Sequence, residues 1–309
     1  MSATVAVFGS FMMDLIAYAP RRPVPGETLR GDSFATALGG KGFNQVVAAS
    51  RAGVSARMLG RVGTDDFGDL FIQALSDEQI LLVGVERDRD AGTGVGLPVV
   101  ESGGENSIII VPRANDGADH LFVERHKGLI QSSNVLLLQL ELPVDGALAA
   151  ARIAKEVGVR VVLNPAPATS VAQFSGLVDV IVPNEVEFAA LAGEHGSMIE
   201  RAVKLHDRLS GCDVVITRGS QGAYVLDGDH LVTIPAPTVT AIDTIGAGDT
   251  LCGYLAARLA LGDTLIAATR MAIVAASISV TRRGGAQSSP VAEEVLRFMA
   301  ENRHVSAES

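Results

Sequence analysis

The sequence predicts an α/β fold with a central, mostly parallel sheet flanked by helices, and with a small β-sheet lid. Short β-branched runs alternate with helical patterns along the 309 residues. These runs are apolar throughout, as is typical of parallel strands buried on both faces. Two other segments lack helical periodicity and contain Gly and Pro turns, which favours a separate small sheet.

The main strands are predicted where β-branched residues and leucines run together. They are expected at 4–9, 134–140, 159–164, 178–184 and 213–219. The last four runs lead to polar side chains, namely Glu141, Asn164, Asn184 and Thr217. Ligands of open parallel sheets bind outside the carboxyl ends of the strands, so these side chains are expected to border a crevice. Alternatively, each polar residue only marks where a strand reaches the surface.

Helices are predicted where apolar residues recur every three to four positions. They are expected at 41–52, 66–77, 118–127, 144–157, 197–209, 249–261, 263–280 and 291–302. The small sheet is expected from 14–36 and 92–112, inserted into a single domain of residues 1–309 and placed to act as a lid. No low-complexity linker divides the chain.

The charge balance excludes some function classes. With 35 acidic and 25 basic side chains the formal charge is −10, which disfavours general binding to nucleic acid or to a membrane surface. Only Cys212 and Cys252 are present, far apart, which favours a reduced, cytoplasmic setting. The N-terminus has no secretory pattern, and the apolar stretch MAIVAASISV is too short to span a bilayer.

The stretch 243–262, DTIGAGDTLCGYLAARLALG, places three small residues and a carboxylate at the start of a predicted helix. The first amides of a helix have no partner within it and favour anions, and glycines let a phosphate approach the backbone. Asp249 would lie beside such a phosphate, where it can accept the proton of an attacking hydroxyl. The alternative is an ordinary aspartate N-cap after a glycine turn.

A second glycine-rich motif, GGKGFNQVVAASRAG at 39–53, also leads into a predicted helix. Lys41 lies among three glycines, and Asn44 follows in the first turn of the helix. Amides, an ammonium group and a carboxamide suit a polyhydroxylated ligand or a phosphate. The spacing matches neither a P-loop nor a dinucleotide-binding fingerprint. The alternative is a loop into a core helix, with Lys41 merely solvated.

Two shorter motifs follow predicted strands. In PNEVEFAAL (183–191), Asn184 and Glu187 share a helix face, and the alternative is an ordinary capped helix start. TRGSQGAYV (217–225) is typical of a strand, a Gly–Ser turn and another strand, and the turn either holds a nucleotide or is a plain turn. The sequence lacks the H-E-x-x-H and G-x-S-x-G patterns, which disfavours zinc and serine hydrolases.

Together these motifs resemble the ribokinase family of sugar kinases, the phosphofructokinase-B type. GGKGFNQVVAASRAG is similar to the family's N-terminal signature, and DTIGAGDTLCGYLAA to its C-terminal signature. The resemblance extends from VFGSFMMDL near the start to VTRRGGAQSSP at 280–290. It implies a ribokinase-like fold, a lid that forms a homodimer contact, and ATP-dependent phosphorylation of a sugar hydroxyl.

The resemblance also implies a role for each motif. Asp249 resembles the catalytic base, and the anion hole is implied at the amides of Gly246, Ala247, Gly248 and Asp249. The implied sugar-binding residues are Asp14, Gly40, Lys41, Asn44 and Glu141. A carboxylate such as that of Asp14 accepts paired hydrogen bonds from vicinal hydroxyls. The implied nucleotide-binding residues are Asn184, Thr217, Gly219, Ser220, Gly222 and Gly248.

Metal ions are implied in the same way. Glu187 resembles the family residue that organises Mg²⁺ through water. A monovalent-cation site, suited to K⁺ by its oxygen ligands, is implied at Asp243, Ile245, Ser279, Arg282, Gly284 and Ser288. The expected partners are a small sugar, ATP, both ions and a second copy of the chain, without nucleic acid or membrane.

Two positions depart from the common bacterial pattern, in which Met12 would be asparagine and Phe43 alanine. Met12 removes a hydrogen bond to the sugar, and Phe43 is expected to narrow or reshape the pocket. We expect D-ribose as the substrate, giving ribose 5-phosphate. A kinase of fructose, 2-keto-3-deoxygluconate or a nucleoside is the alternative within the enzyme class. Outside it the alternative is a sugar-binding regulator, which the retention of Asp249 and both ligand turns disfavours.

Overall fold

Thirteen strands and nine α-helices lie within the residues that the computed structural model describes, 3–103 and 105–302. The strands are β1 (Thr4–Phe8), β2 (Met12–Ala19), β3 (Ser33–Gly39), β4 (Ser55–Gly63), β5 (Val85–Asp88), β6 (Val95–Glu101), β7 (Asn106–Val111), β8 (Val135–Leu138), β9 (Arg160–Leu163), β10 (Val180–Ile181), β11 (Asp213–Thr217), β12 (Ala223–Asp227) and β13 (His230–Ile234). The helices are α1 (Lys41–Arg51), α2 (Asp66–Asp77), α3 (His120–Gln131), α4 (Val144–Glu156), α5 (Glu185–Ala192), α6 (Met198–Arg208), α7 (Ala247–Ala260), α8 (Leu265–Ser279) and α9 (Ala292–Glu301).

The larger sheet has nine strands in the order β13-β12-β11-β10-β9-β8-β1-β4-β5. All neighbours from β11 to β5 pair in parallel, and only β12 and β13 add antiparallel pairs at one edge. The predicted central, mostly parallel sheet is therefore confirmed.

Two hydrophobic cores lie on opposite faces of this sheet, which explains the uninterrupted apolar runs. In β1, Val5 and Val7 belong to one core, whereas Ala6 and Phe8 belong to the other. Successive side chains of a strand point to opposite faces, so a strand covered on both sides must be apolar at every position.

The smaller sheet has four strands in the order β3-β2-β6-β7. β2 pairs antiparallel with β3 and parallel with β6, and β6 pairs antiparallel with β7. Its strands fall in the two segments without helical periodicity: β2 and β3 extend slightly beyond the first, from Met12 to Gly39, and β6 and β7 lie within the second, from Val95 to Val111. The small sheet of the predicted fold is confirmed, and its closure as a lid stays a prediction.

The close approach of α1 and α7 brings the two glycine-rich motifs together. A Cβ atom at Gly253 of α7 would lie 2.5 Å from the Gln45 carbonyl oxygen and 2.6 Å from the Ala48 Cβ. Both contacts are shorter than real Cβ atoms allow, so only glycine lets the helices pack this closely. The side chains of the first turn of α1 can therefore reach the first turn of α7.

Some elements differ from the prediction. The run 178–184 forms only Val180–Ile181, because Pro183 has no amide hydrogen to continue the ladder. Three strands have no counterpart among the predicted ones: β4, where arginines interrupt the apolar pattern, and the edge strands β5 and β13. It placed the third helix at 118–127, whereas α3 spans His120–Gln131 and begins after an Asp119 side-chain cap.

Two features bear on the environment of the chain. Both cysteines are buried and free of disulfide bonds. In the part of the chain that is described, none of the helices combines the length and hydrophobicity needed to cross a membrane.

Candidate active site

A cleft of about 230 Å³ lies at the carboxyl ends of the parallel strands. Its lining residues are Lys41, Asn164, Val182, Asn184, Glu187, Thr217, Gly246, Gly248, Asp249 and Cys252. They come from α1, α5, α7 and its N-cap, the loops after β9 and β10, and the last residue of β11. Three of the four polar residues that follow strands in the sequence thus meet at one cleft. The fourth, Glu141, contacts the start of α1 beside it.

Asp249 is the third residue of α7, and amides hold both of its carboxylate oxygens. Asn44 Nδ2 donates to Oδ2 at 2.9 Å, and Gln45 Nε2 donates to Oδ1 at 2.9 Å. The side chain is 7% exposed, on the cleft side. The N-cap of α7 is Gly246 rather than Asp249, so the alternative of an ordinary aspartate cap is wrong.

The glycine turn before Asp249 depends on Gly246. Its backbone has φ 74°, and a Cβ atom there would lie 2.8 Å from the Gly285 Cα. No side chain caps α7. Ala247 N donates to Thr244 O at 3.3 Å, whereas no described bond outside the helix uses the amides of Gly248 or Asp249. The start of α7 is therefore open to an anion.

The start of α1 has the same kind of geometry. Its N-cap is Gly40, with φ 93° and no side-chain cap. Lys41 N donates to Glu141 Oε2 at 2.9 Å, and Ser10 Oγ also donates to this oxygen. A Cβ atom at Gly40 would lie 2.8 Å from the Met12 amide nitrogen, so the loop packs tightly against the start of β2.

The Lys41 ammonium group faces the carboxylates of the cleft. Attraction to Asp249 raises its pKa first, Glu141 and Glu187 raise it further, and burial opposes them. These interactions are Coulombic rather than hydrogen bonds. Lys41 thus stays positively charged and can interact with an anionic ligand.

Asp14 lies on the small sheet between two glycines. A Cβ atom at Gly39 would lie 2.5 Å from Asp14 Oδ2, and one at Gly96 would overlap Oδ1, so both glycines clear space for the carboxylate. Burial, and then the charge of Glu141, raises the pKa of Asp14 to about 6. Two carboxyl groups from different parts of the fold therefore face each other, an arrangement that suits several hydroxyl donors.

Asn184 and Glu187 form a capping box at the start of α5. Asn184 Oδ1 accepts from Glu187 N at 2.8 Å, and Glu187 Oε2 accepts from Asn184 N at 2.9 Å. Both residues also line the cleft, so the structural and functional interpretations are compatible. Burial raises the pKa of Glu187 most, Asp249 also raises it, and the bond from Asn184 and the charge of Lys41 lower it.

The turn after β11 borders the cleft at Thr217, whose amide donates to Pro183 O at 2.9 Å. Arg218 N then donates to Gly222 O at 2.8 Å and closes the turn. Gly219 and Ser220 are exposed, whereas Gly222 is buried with φ 87°. These three predicted residues do not line the cleft but lie next to Thr217.

The residues of the predicted cation site come together beside the glycine turn. Asp243 accepts from Ile245 N at 3.0 Å and from Gly284 N at 2.9 Å. The hydroxyls of Ser279 and Ser288 donate to local carbonyls. The described residues contain no cluster of three or more His, Cys, Asp or Glu that could hold a metal ion. Backbone carbonyls would therefore supply most ligands of any cation here.

Several polar residues that the motifs did not single out also contribute to the site. Gln45 bonds Asp249, Asn164 Oδ1 at 3.2 Å and Gln139, and Ser10 bonds Glu141. The available signal was position, since Gln45 follows Asn44 directly in the motif at 39–53 and Gln139 follows the apolar residues 135–138.

Phe43 does not act as expected. Its side chain is 3% exposed and packs edge-on against Phe71, with ring centroids 5.0 Å apart, and also against Phe11. The larger ring therefore fills the hydrophobic core and does not narrow the cleft. Met12 is also buried, with Sδ 3.8 Å from Asn115 Nδ2.

A buried carboxylate, uncapped helix amides and a lysine at the carboxyl edge of a parallel sheet define a phosphoryl-transfer class of site. The chain belongs to the pfkB family of carbohydrate kinases, whose family model matches residues 2–292.

Similar proteins cover nearly the whole chain. A ribokinase of Haemophilus influenzae is 36% identical over 97% of this chain and 99% of its own length. A deoxyribokinase of Salmonella typhi is 34% identical over 96% and 99%, respectively. The structure of an Arabidopsis thaliana ribokinase complexed with ribose and ATP superposes with a TM-score of 0.90 at 28% identity, covering 97% of this chain and 99% of that one.

Proposed function

We propose that this kinase transfers the γ-phosphoryl group of ATP to D-ribose, giving ribose 5-phosphate and ADP. The relatives named ribokinase and the ribose- and ATP-bound Arabidopsis structure support this substrate pair. The observation that carries the proposal is the Asp249 carboxylate, held by Asn44 and Gln45 beside the open amides of α7.

Asp249 is the proposed base. As the bond forms between the sugar oxygen and the γ-phosphorus, the bond to the ADP oxygen breaks and the hydroxyl proton passes to Asp249. Because phosphoryl transfer has a loose transition state, the proton can leave late, and an ordinary carboxylate is a strong enough acceptor. Gly246, Ala247, Gly248 and Asp249 form the proposed anion hole, with the Ala247 amide the least available because it donates to Thr244.

Lys41 is placed to neutralise the transferred group. The cleft would otherwise bring a phosphate next to Asp249 and Glu187, which is costly for like charges at short range. The ammonium group, kept charged by these carboxylates, offsets that repulsion. Its location in the cleft supports a phosphate contact in addition to the sugar contact implied by the resemblance.

The proposed sugar contacts are Asp14, Gly40, Lys41, Asn44 and Glu141. Asp14 offers two carboxylate oxygens, and Glu141 retains Oε1 after Oε2 has accepted from Ser10 and Lys41. Asn44 uses Nδ2 for Asp249 and Oδ1 for the Ala286 amide, which leaves one amide hydrogen for a hydroxyl. Carboxylates at this position disfavour a sugar that already carries a phosphate.

The proposed nucleotide side consists of Asn184 and the turn with Thr217, Gly219, Ser220 and Gly222, together with the amide of Gly248. Mg²⁺ fits beside Glu187, because one free carboxylate oxygen suits an ion held mainly by phosphates and water. When bound, the ion would neutralise phosphate charge. Glu187 itself fixes the start of α5 and thereby orients Asn184.

K⁺ fits the proposed site at Asp243, Ile245, Ser279, Arg282, Gly284 and Ser288. Ile242 N donates to Val280 O at 2.7 Å and Gly284 N donates to Asp243, so the two contributing segments are already joined. A bound cation would supply positive charge beside the anion hole. The chain itself keeps Gly285 against Gly246 there, which holds the glycine turn in place.

A sugar-dependent assay of ADP formation tests the substrate proposal. Ribose, 2-deoxyribose, fructose, 2-keto-3-deoxygluconate and a nucleoside are each supplied with ATP and Mg²⁺, with and without K⁺. We expect the highest kcat/KM with ribose. A higher value with 2-deoxyribose, the substrate class that the Salmonella relative's name indicates, would replace the ribose proposal without changing the family.

Asp249→Asn, run beside the wild type, tests the base. The variant should bind both substrates and lose turnover by about 10³-fold or more, because the amide cannot accept the proton. Near-normal turnover would overturn the assignment of Asp249. Turnover that needs no sugar would overturn the kinase proposal itself.

A further inference from the structure

A line of buried amides leads from Gln139 to Asp249 behind the cleft. Gln139 Nε2 donates to Gln45 Oε1 at 2.5 Å, and Gln45 Nε2 donates to Asp249 Oδ1 at 2.9 Å. Gln45 is fully buried and Gln139 is 1% exposed. Loss of either partner would leave a buried polar group unsatisfied, which is costly.

The hydrogen bonds of this line all run in one direction, from Gln139 to Gln45 to Asp249. An ionised carboxylate only accepts hydrogen bonds, so Gln45 must turn its NH₂ group to Asp249 and its carbonyl to Gln139. Gln139 must then present its own NH₂ group. The two glutamines therefore hold Oδ1 at a fixed position and set the orientation of the carboxylate.

We propose that Gln45, oriented by Gln139, is a positioning residue that keeps the Asp249 carboxylate aimed at the cleft. The proposal rests on the proposed role of Asp249 as base. Gln45 does not line the cleft, so its effect must pass through Asp249. Asn44 holds the other oxygen, and each oxygen keeps lone pairs for a substrate hydroxyl.

Other titratable groups also face Asp249. They are Lys41 from α1, Glu187 from α5 and Cys252 from α7 itself, while Glu141 acts on Lys41. All of them remain in a Gln45 variant, so a change in kcat relative to the wild type at the same pH reports the lost amide. Saturating sugar removes the separate effect of Asp14 on sugar binding.

Gln45→Met removes the donor and the acceptor while keeping a similar length. At saturating sugar and ATP we expect kcat to fall about tenfold, because the carboxylate is no longer held toward the reacting hydroxyl, with the KM of sugar and ATP changed less than about threefold. Initial rates of ADP formation at several sugar and ATP concentrations, all at about pH 8, give these values.

Phe174→Leu is the matched control, since Phe174 is fully buried in the core on the other side of the sheet. It should lower Tm and leave kcat and both KM values within about twofold of the wild type. An unchanged kcat in Gln45→Met, or a rise of the KM values as large as the fall in kcat, would show a merely structural role and overturn the proposal. If that variant does not fold, Gln139→Met replaces it, with a smaller fall in kcat expected and an unchanged kcat contradicting the proposal. Failure of the base assignment is separate, because only Asp249→Asn with normal turnover reveals it.

Discussion

The role of Asp249 depends on side chains that are distant in the sequence. Asn44, 205 positions away, and Gln45, 204 positions away, bond its two carboxylate oxygens. Without them a carboxylate in the first turn of a helix would interact with the helix dipole, as many surface aspartates do. The two amides instead give it a fixed orientation toward the cleft.

Asp14 gives the proposed sugar site a specific pH dependence. Its pKa is raised to about 6, first by burial and then by Glu141, so it is protonated below that pH and loses acceptor capacity. We expect the KM of the sugar to be flat above pH 7 and to rise below pH 6 by up to about tenfold per unit. Initial rates of ADP formation at several sugar concentrations from pH 5 to 8 measure it.

Asp14→Asn should raise the sugar KM at pH 8 and remove most of its rise below pH 6. The raised pKa of Asp14 also makes the stability of the fold depend on pH. The folded state takes up this proton between about pH 6 and 3.8, before the unfolded chain does, so the contribution of Asp14 to stability increases as pH falls through that window. Asp32→Asn, at an exposed position before β3, is the control and should leave the KM profile unchanged. An Asp14→Asn profile identical to that of the wild type would refute the assignment.

For single residues, the motifs predicted the chemical role of a side chain better than they predicted its contacts. Asp249, Lys41 and Asn44 were identifiable because unusual residue types cluster in glycine-rich stretches. The hydrogen bonds of Gln45 and the packing of Phe43 could not be predicted in this way, because their neighbours come from other elements. Gln45 bonds a residue of α7, whereas the ring of Phe43 packs against Phe71 of α2, and the sequence alone contains neither distance.

Among the elements, the end of α1 anchors the loop behind the glycine turn. Arg51 Nη1 donates to the carbonyls of Ala286, Gln287 and Ser289 at 3.4, 3.0 and 2.6 Å, and its Nη2 pairs with Glu78 at 2.5 Å. Arg51→Met should destabilise the fold by about 2–3 kcal/mol, because several charge-assisted bonds are lost and Glu78 is left unpaired. Thermal and urea unfolding measure it.

The Arg51→Met variant should also change kcat by a larger factor than it changes the KM of the sugar or of ATP. The reason is that the loop supports Gly246 and that its Ala286 amide donates to Asn44. Arg125→Met is the matched control: Arg125 pairs with Glu86 at 3.0 Å but is 53% exposed, so its loss should cost about 0–1 kcal/mol. Arg51→Lys keeps the charge without the planar fork and should recover only part of the stability. If Arg51→Met and Arg125→Met lowered the free energy of unfolding equally, the anchoring role of Arg51 would be contradicted.

Helices and strands were predictable where the local hydrophobic pattern matches the way the element packs in the fold. The long helices α2 and α4 and the fully apolar strands β1 and β8 carry their own period, and their predicted bounds are within two residues. β4 is buried on one face but carries Arg57 and Arg61, so its pattern is mixed. α5 has only eight residues and depends on its capping box more than on periodicity. β4 and α5 are stabilised by contacts with other elements, and the local sequence pattern does not contain these contacts.

In the molecule as a whole, an acidic composition coexists with positive features at the cleft. The formal charge is −10, yet the cleft contains Lys41 and the start of α7. These positive features act at short range, where screening by salt is weak. Net charge therefore disfavours polyanionic partners without excluding a nucleotide, and the proposed place for a nucleotide follows only from the assembled sheet.

The small sheet is a single layer with apolar side chains left exposed. Phe34, Ile108 and Ile109 are 65%, 56% and 67% exposed, and β3 and β7 are open edges. Single layers with exposed apolar faces normally gain stability by packing against another layer. We propose that the second layer is the small sheet of another copy, giving the homodimer implied by the family resemblance.

The double variant Ile108→Asp/Ile109→Asp tests this assembly, since alternate residues of β7 point to opposite faces. It should raise the dimer dissociation constant by about 30-fold or more, because at least ~2 kcal/mol is lost when an apolar contact is replaced by buried charge. Sedimentation velocity across protein concentrations measures the change. The sugar KM should also rise several-fold, because Asp14 lies on the same sheet and loses support when the second layer leaves. Leu296→Glu, at an equally exposed leucine of α9, is the control and should keep the wild-type assembly. A wild-type monomer, or an undisturbed dimer in the double variant, would show that another surface or none mediates self-association.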